Sequence, residues 1–274
     1  MLMSNNGDRS DTLPNDACTG YALVAFDLDD TLAPSKSPLP ARMAVELRRL
    51  LEVSQVAVIS GGRFGQFESQ LLAGLGGTPE ELARLHLLPT CGTRYLRFVE
   101  GSWQTLYEHN LTASERTRTL AALEGEARRL GLWEEHHWGD ILEDRGSQVT
   151  FSALGQSAPL EAKRAWDPTG EKKAALRDAV AARVPDLEVR SGGSTSVDVT
   201  RKGVDKAYGI AALSEQTGIP IARMLFVGDR LDPDGNDFPV TRLGIATHAV
   251  TGWEDTAEFV RSYVDRVQEN KNDR

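Results

Sequence analysis

Residues 27 to 30 carry three acids, directly after the apolar stretch "YALVAF". That stretch is β-prone and reads as a buried parallel strand. Asp27 and Asp29 stand at its C-terminal end, one alternation apart, so their side chains are expected to point the same way. Two carboxylates on one face repel each other, and keeping both ionised away from water is costly. A cation between them would remove that cost. The competing reading is an acidic strand edge with no chemistry. Two other apolar runs end in polar groups: "QVAVISGG" in Ser60, Gly61 and Gly62, and "MLFVGD" in Asp229. Ligands of an open parallel sheet bind outside the carboxyl ends of its strands, so the three sets should converge on one site.

The intervening segments supply such a sheet. "PARMAVELRRLLE" has helical periodicity with Pro40 at its first turn, "GQFESQLLAGL" is helical, and "LHLLPTCG" is a short third strand. This alternation predicts a parallel α/β fold. The rhythm then changes. "TRYLRFVEGSWQTLYEHN" reads as a hairpin turning at Glu-Gly. A helix follows with a capping pair at Thr112 and Glu115, then a strand in "SQVTFSALG" and a helix in "EKKAALRDAVAARV". "LEVRSGGSTSVDVTRKG" is strand-like, broken at Gly192 and Gly193. Near Lys202 the α/β rhythm returns with the helix "DKAYGIAALSEQTG", the strand "MLFVGD", a further strand in "RLGIATHAV" and an amphipathic terminal helix. We therefore expect a Rossmann-like parallel-sheet core with an inserted α+β domain. The expected limits are a disordered leader at 1–20, core at 21–108, insert at 109–199 and core again at 200–274. A cleft between the two is the default ligand site.

Composition narrows the functional classes. The 274 residues are 40% hydrophobic and 26% charged, as in a globular chain with a real core. A net charge of -9 argues against a general nucleic-acid or anionic-membrane binder. An anionic substrate would need positive charge concentrated at the site. The two cysteines, Cys18 and Cys91, have no metal-site spacing and suggest no disulfide framework, which points to the reducing cytoplasm. No stretch is long or apolar enough to span a bilayer.

"DLDDT" resembles the first motif of the haloacid dehalogenase superfamily, and "ISGG" at 59 to 62 its second. Lys206 in "KGVDK" resembles the third motif, and "VGDRLDPDGND" at 227 to 237 the fourth. Within the superfamily, "GDRLDPDGND" and "GGSTSVDVTRKGVDK" are similar to the α-phosphomannomutase branch, with Asp234 where that branch has a Gly. The resemblance runs from about Tyr21 to about Val264 and makes the inserted domain an α/β cap.

The resemblance implies Mg²⁺-dependent phosphoryl transfer, in which a carboxylate attacks phosphorus once both negative charges are screened. Asp27 would be the nucleophile and Asp29 the general acid/base. Asp27, Asp229 and the backbone carbonyl of Asp29 would hold the metal, with Asn236 and Asp237 around that shell. Lys206 and Ser60, with Gly61 and Gly62, would hold the transferring phosphoryl group. Asp30, Asp232 and Asp234 read as turn-forming loop acids. In the cap, Arg145, Ser196 and Asp198 fall where the branch binds the sugar and its distal phosphate. Gln156, however, stands where a second arginine is expected, and Lys163 or Arg164 only loosely replaces a third. Glutamine lacks the charged bidentate fork of arginine. The second motif also differs, with Ser-Gly-Gly-Arg for Gly-Gly-Ser-Asp. These departures favour a phosphatase acting on small sugar phosphates, with phosphomannomutase as the alternative and a non-catalytic binding protein as a third reading. The partner expected is the sugar phosphate, with no nucleic acid and no membrane; any self-association would be a homodimer through the cap.

Overall fold

The computed structural model describes residues 20–272, so Cys18 and nearly all of the expected leader lie outside the described residues. The chain runs through β1 (Leu23–Phe26), α1 (Ala41–Val53) and β2 (Gln55–Ile59) into a broken helix. That helix comprises α2 (Phe64–Gln66), a π-helical turn (Phe67–Leu72) and α3 (Ala73–Leu75), and is followed by α4 (Pro79–Leu82) and β3 (Leu85–Leu88). The expected hairpin is β4 (Arg94–Val99) and β5 (Ser102–Glu108), turning at Glu100 and Gly101, both at positive φ. Next come α5 (Ala113–Arg129), β6 (Leu142–Asp144), β7 (Gln148–Ser152), α6 (Leu160–Trp166), α7 (Glu171–Arg183), β8 (Leu187–Ser191) and β9 (Ser196–Arg201). The chain ends with α8 (Lys206–Thr217), β10 (Met224–Gly228), β11 (Ala246–Ala249) and α9 (Trp253–Asn272).

Seven strands form one sheet in the order β11-β10-β1-β2-β3-β4-β5. The first five are parallel, and the β4–β5 hairpin extends the edge antiparallel. The all-apolar β1 is buried because helices cover both faces of the sheet. On one face α1 and α9 pack through Met43, Leu47, Val260 and Val264. On the other, Ile210 and Leu213 of α8 meet Phe226 and Val240. β6, β7, β9 and β8 form a separate antiparallel sheet with its own apolar core, including Val149, Phe151, Leu176 and Val199. No helix among the described residues is long and apolar enough to cross a membrane.

Register sets the floor of the site. Phe26 pairs with Val227 of β10 on one side and Val58 of β2 on the other. The carboxyl ends of β1, β2 and β10 therefore finish level, with β1 in the middle. Where sequence and structure differ, the elements are short. The three-residue β6 and the seven-residue α6 lack enough residues for a periodic signal. The run read as a strand from Arg242 starts inside a 3₁₀ turn at Phe238–Leu243, which Gly244 ends in a left-handed conformation, so β11 begins only at Ala246.

Candidate active site

Asp27 follows β1 directly and is buried, with its backbone N–H donating to Val227 O at 3.1 Å. Lys206, the first residue of α8, is only 1% exposed. Its Nζ donates to Asp27 Oδ1 at 2.6 Å and to Asp237 Oδ1 at 2.5 Å. Burial pushes the Asp27 carboxyl up to about 7, with the Asp237 charge adding to the rise and Lys206 opposing it. Burial alone would depress the Lys206 ammonium, but Asp27 and Asp237 reverse this and hold it above the usual lysine range. Asp229 follows β10 and exchanges two hydrogen bonds with Thr31: its N–H donates to Thr31 Oγ1 at 3.1 Å, and Thr31 Oγ1 donates to Asp229 Oδ1 at 3.2 Å. Burial raises the Asp229 carboxyl too, and the Asp237 charge contributes.

One carboxylate oxygen from each of Asp27, Asp229 and Asp237 lies within 4.8 Å of the others. Three hard oxygen donors and one lysine leave a net negative charge. That donor set suits a small hard divalent cation such as Mg²⁺. Asp237, expected around the metal shell, thus stands within the carboxylate cluster. Its Oδ2 accepts from Arg230 N at 3.1 Å and packs so close to Gly228 that a Cβ there would sit 2.3 Å away. Asn236, also expected around the metal, is exposed and makes no hydrogen bond among the described residues, because the same loop turns Asp237 inward and Asn236 out.

Asp29 stands outside the cluster that Asp27 joins, and no strand pleat carries the alternation expected for the two. The pleat of β1 ends at Phe26, and the chain then coils, with Leu32 N donating to Leu28 O at 3.0 Å and Asp30 at φ 59. The Asp29 carboxylate instead accepts from Lys36 N at 2.7 Å, Gln66 Nε2 at 2.8 Å and Gln70 Nε2 at 3.1 Å. Asp30 accepts from Ser35 N and Asp232 pairs with Arg230, as turn acids do.

The Ser60–Gly62 loop closes β2. Ser60 Oγ accepts from Gly62 N at 3.1 Å. Ser60 O and Gly62 O accept from Cys91 N and Thr90 N, both at 2.9 Å. Thr90 and Cys91 adopt left-handed φ values of 49° and 55°, strain that lets this turn brace the loop. Gly61 O accepts from Arg145 Nη1 at 3.1 Å, which brings the loop between β6 and β7 to the core. The rest of the Arg145 guanidinium is held by Glu143 at 2.8 and 3.0 Å, and Glu143 also pairs with Arg63 at 3.2 Å. Gln156 donates to Ser152 Oγ at 3.0 Å, and Ser152 Oγ lies 3.3 Å from Ser196 Oγ. Asp198 accepts from Gln148 and Thr150 at 2.9 and 2.7 Å, and burial raises its carboxyl. Lys163 Nζ donates to Gln156 O at 2.9 Å, and burial followed by the charge of Lys36 depresses it.

Several of these contacts escape sequence reading. Glu143 lies in β6 with Arg145 two residues on, just past the strand's end, and Gln66 and Gln70 stand four apart along the broken helix. Both spacings are visible in the sequence, but neither names its partner across the fold.

A family model described as eukaryotic phosphomannomutase matches residues 135–265. A phosphomannomutase of Schizosaccharomyces pombe is 24% identical, over 85% of this chain and 91% of the relative. One from Encephalitozoon cuniculi is 21% identical, over 80% and 83%. The structure of Plasmodium falciparum IMP-nucleotidase superposes with a TM-score of 0.69 at 15% identity, over 90% of this chain and 69% of that one. A haloacid dehalogenase-like hydrolase from Bacteroides thetaiotaomicron gives 0.59 at 16%, over 88% and 99%. At such identities the superpositions speak for the fold alone. The chain is thus similar in sequence to phosphomannomutases over most of its length, and its fold is shared with a haloacid dehalogenase-like hydrolase.

Proposed function

We propose that the protein is a Mg²⁺-dependent phosphatase of small sugar phosphates that works through an aspartyl-phosphate on Asp27. The observation that carries this reading is a buried Asp27 held by Lys206 inside a three-carboxylate cluster at the level ends of β1 and β10. Folding does not need that arrangement, because burying Asp27 and Asp237 around one lysine, with Asp229 half-buried beside them, opposes stability. Asp27, Asp229 and Asp237 would hold the metal, which when bound screens the carboxylates from the incoming phosphate.

An Asp27 oxygen forms the new bond to phosphorus while the bond from phosphorus to the sugar oxygen breaks. The leaving oxygen keeps that electron pair and takes a proton from Asp29. Asp29 then accepts a proton from water as the water oxygen attacks phosphorus, and the bond to Asp27 breaks with its electron pair returning to the carboxylate. Lys206 sits against Asp27 throughout and offsets charge on the phosphoryl oxygens.

Water is favoured as acceptor because the grip on a second phosphate is weak. Arg145 is already engaged by Glu143 and Gly61, and the neutral Gln156 bonds to Ser152. The mutase reading has its own support. The matched relatives are named phosphomannomutases, and Lys36 and Lys163 approach each other with no carboxylate partner among the described residues. The deciding experiment incubates the protein with mannose 6-phosphate and Mg²⁺, with and without a hexose bisphosphate. Free phosphate in excess of mannose 1-phosphate supports the phosphatase. Efficient isomerisation with little phosphate release overturns it. The same proposal places the protein in the cytoplasm, where Cys91 would stay reduced, and lets it self-associate only through the cap; sedimentation of the cap-truncated and intact chains checks the latter.

A further inference from the structure

We propose that Gln66 and Gln70 are positioning residues for the proton transfer, holding Asp29 so that one lone pair of its Oδ2 is left to serve the leaving oxygen. This rests on the phosphotransfer reading above. Oδ1 accepts from Lys36 N and Gln70 Nε2, which uses both of its lone-pair directions. Among the described residues Oδ2 accepts from Gln66 Nε2 alone, which leaves one direction open. The two glutamines also fix each other, because Gln66 Nε2 donates to Gln70 Oε1 at 2.9 Å. Both hydrogens of the Gln66 amide are thereby used. Flipping that amide would set its oxygen against both Asp29 Oδ2 and Gln70 Oε1, so only one orientation is stable.

The backbone is shaped for this triangle. Gln66 ends α2, and Gln70 lies in the π-helical turn that follows it. A π turn widens the helix by one residue, a distortion frequent at functional sites. Gly62 makes room for Gln66, since a Cβ at position 62 would lie 1.9 Å from Gln66 Oε1. Gln70 is 3% exposed, so its amide has no solvent alternative. Proton transfer fails when the acid is misplaced by a fraction of the bond it must make.

The proton on Oδ2 goes to the sugar oxygen as its bond to phosphorus breaks, and a proton from water returns to Oδ2 in the second half. A leaving group that departs as a stable anion needs no such proton. The test therefore compares single-turnover phosphorylation of Asp27 by a sugar phosphate and by p-nitrophenyl phosphate, in the native protein and in Gln66→Ala. Gln66 is partly exposed, so its truncation spares the core. We expect phosphorylation by the sugar phosphate to slow roughly 10- to 100-fold. Phosphorylation by p-nitrophenyl phosphate should change less than about threefold, with KM for either substrate hardly moved. Gln66→Glu, which sets a carboxylate against Asp29, should be slower still with the sugar phosphate. Equal losses with both substrates, or none with either, overturn the positioning role. If the native protein forms no phosphoenzyme at Asp27 from either substrate, the phosphotransfer reading falls and takes this role with it.

Discussion

Asp27, Lys206 and Asp237 form a buried ion triad whose burial opposes the fold. One consequence concerns Asp27→Asn. The variant should lose turnover by at least about a thousandfold, yet stay folded, because removing one of the crowded carboxylates relieves repulsion. Rate and thermal melting measured on the same preparation check both halves. A second consequence concerns the metal. Burial holds the Asp27 carboxyl near 7, above its unfolded value of 3.8. For a carboxyl raised on folding, the metal-free protein has that group's full contribution below the unfolded value. It loses the contribution as pH rises through 7. A divalent cation must displace that proton, so it meets the least competition at high pH. Mg²⁺ should therefore raise Tm more at pH 8 than at pH 5. Equal shifts at both pH values would remove Asp27 from the metal site.

Each element is tuned to deliver one group. α8 carries Lys206 at its first position, capped by Asp205 accepting from Tyr208 N at 3.1 Å. It packs on the strained turn after β3 through two glycines: a Cβ on Gly92 would lie 2.4 Å from Gly209 Cα, and one on Gly209 would lie 2.6 Å from Cys91 O. That turn also braces the Ser60–Gly62 loop, so one glycine contact sets both the lysine and the loop. Gly209→Ala has no strained φ to relieve and only this space to violate. It should destabilise the protein by about 1–3 kcal/mol as overpacking does, and lower kcat by more than the lost stability explains. Denaturant unfolding beside kinetics separates the two effects. β3 offers a second case. His86 is fully buried, its Nδ1 2.7 Å from Tyr95 Oη and its Nε2 2.6 Å from Gln55 Oε1. Burial, helped by Arg97, lowers its pKa to about 3. The unfolded chain binds that proton near 6.5 and the folded chain does not, so stability present above 6.5 is lost as pH falls toward 3. The slope should approach about 1.4 kcal/mol per pH unit, and His86→Gln should flatten it in urea unfolding series between pH 6.5 and 4.

At the scale of the molecule, the second sheet reaches the core through a small polar contact. Arg145 donates to Gly61 O, Glu143 bridges Arg145 and Arg63, and Thr93 Oγ1 donates to Ser147 Oγ at 2.6 Å. The Arg63 side chain is 67% exposed, so its ion pair adds little, while the Glu143–Arg145 pair is largely shielded. Such a contact suits a cap that opens for substrate and closes over it. Removing Glu143 frees the Arg145 guanidinium for an anionic ligand and loosens the latch. Glu143→Gln should therefore tighten inorganic phosphate or vanadate by a few-fold and enlarge the radius of gyration of the unliganded protein in solution scattering. An unchanged scattering profile with unchanged vanadate affinity would show that the contact holds nothing.

Much of this was legible in the residues alone. The apolar runs of β1, β2 and β10, each ending in polar groups, announced a parallel sheet and the edge where the site lies, because strand burial and loop polarity are local properties of the chain. The capping pair at Thr112 and Glu115 was legible for the same reason, and both of its reciprocal hydrogen bonds are present. Tertiary structure alone decided which acids share the cluster. Asp27 and Asp29 are near neighbours in sequence but part company, because the pleat stops at Phe26 and the coil that follows hands Asp29 to two glutamines of the broken helix. Asp237, 210 residues from Asp27 in sequence, joins it instead, because Lys206 bonds to both. Arg145 is likewise a cap residue by sequence, yet only the folded chain shows its guanidinium engaged by Glu143 and by the loop after β2. Such contacts depend on where a turn of coil aims a side chain, and that aim is set by packing between segments that no spacing along the chain encodes.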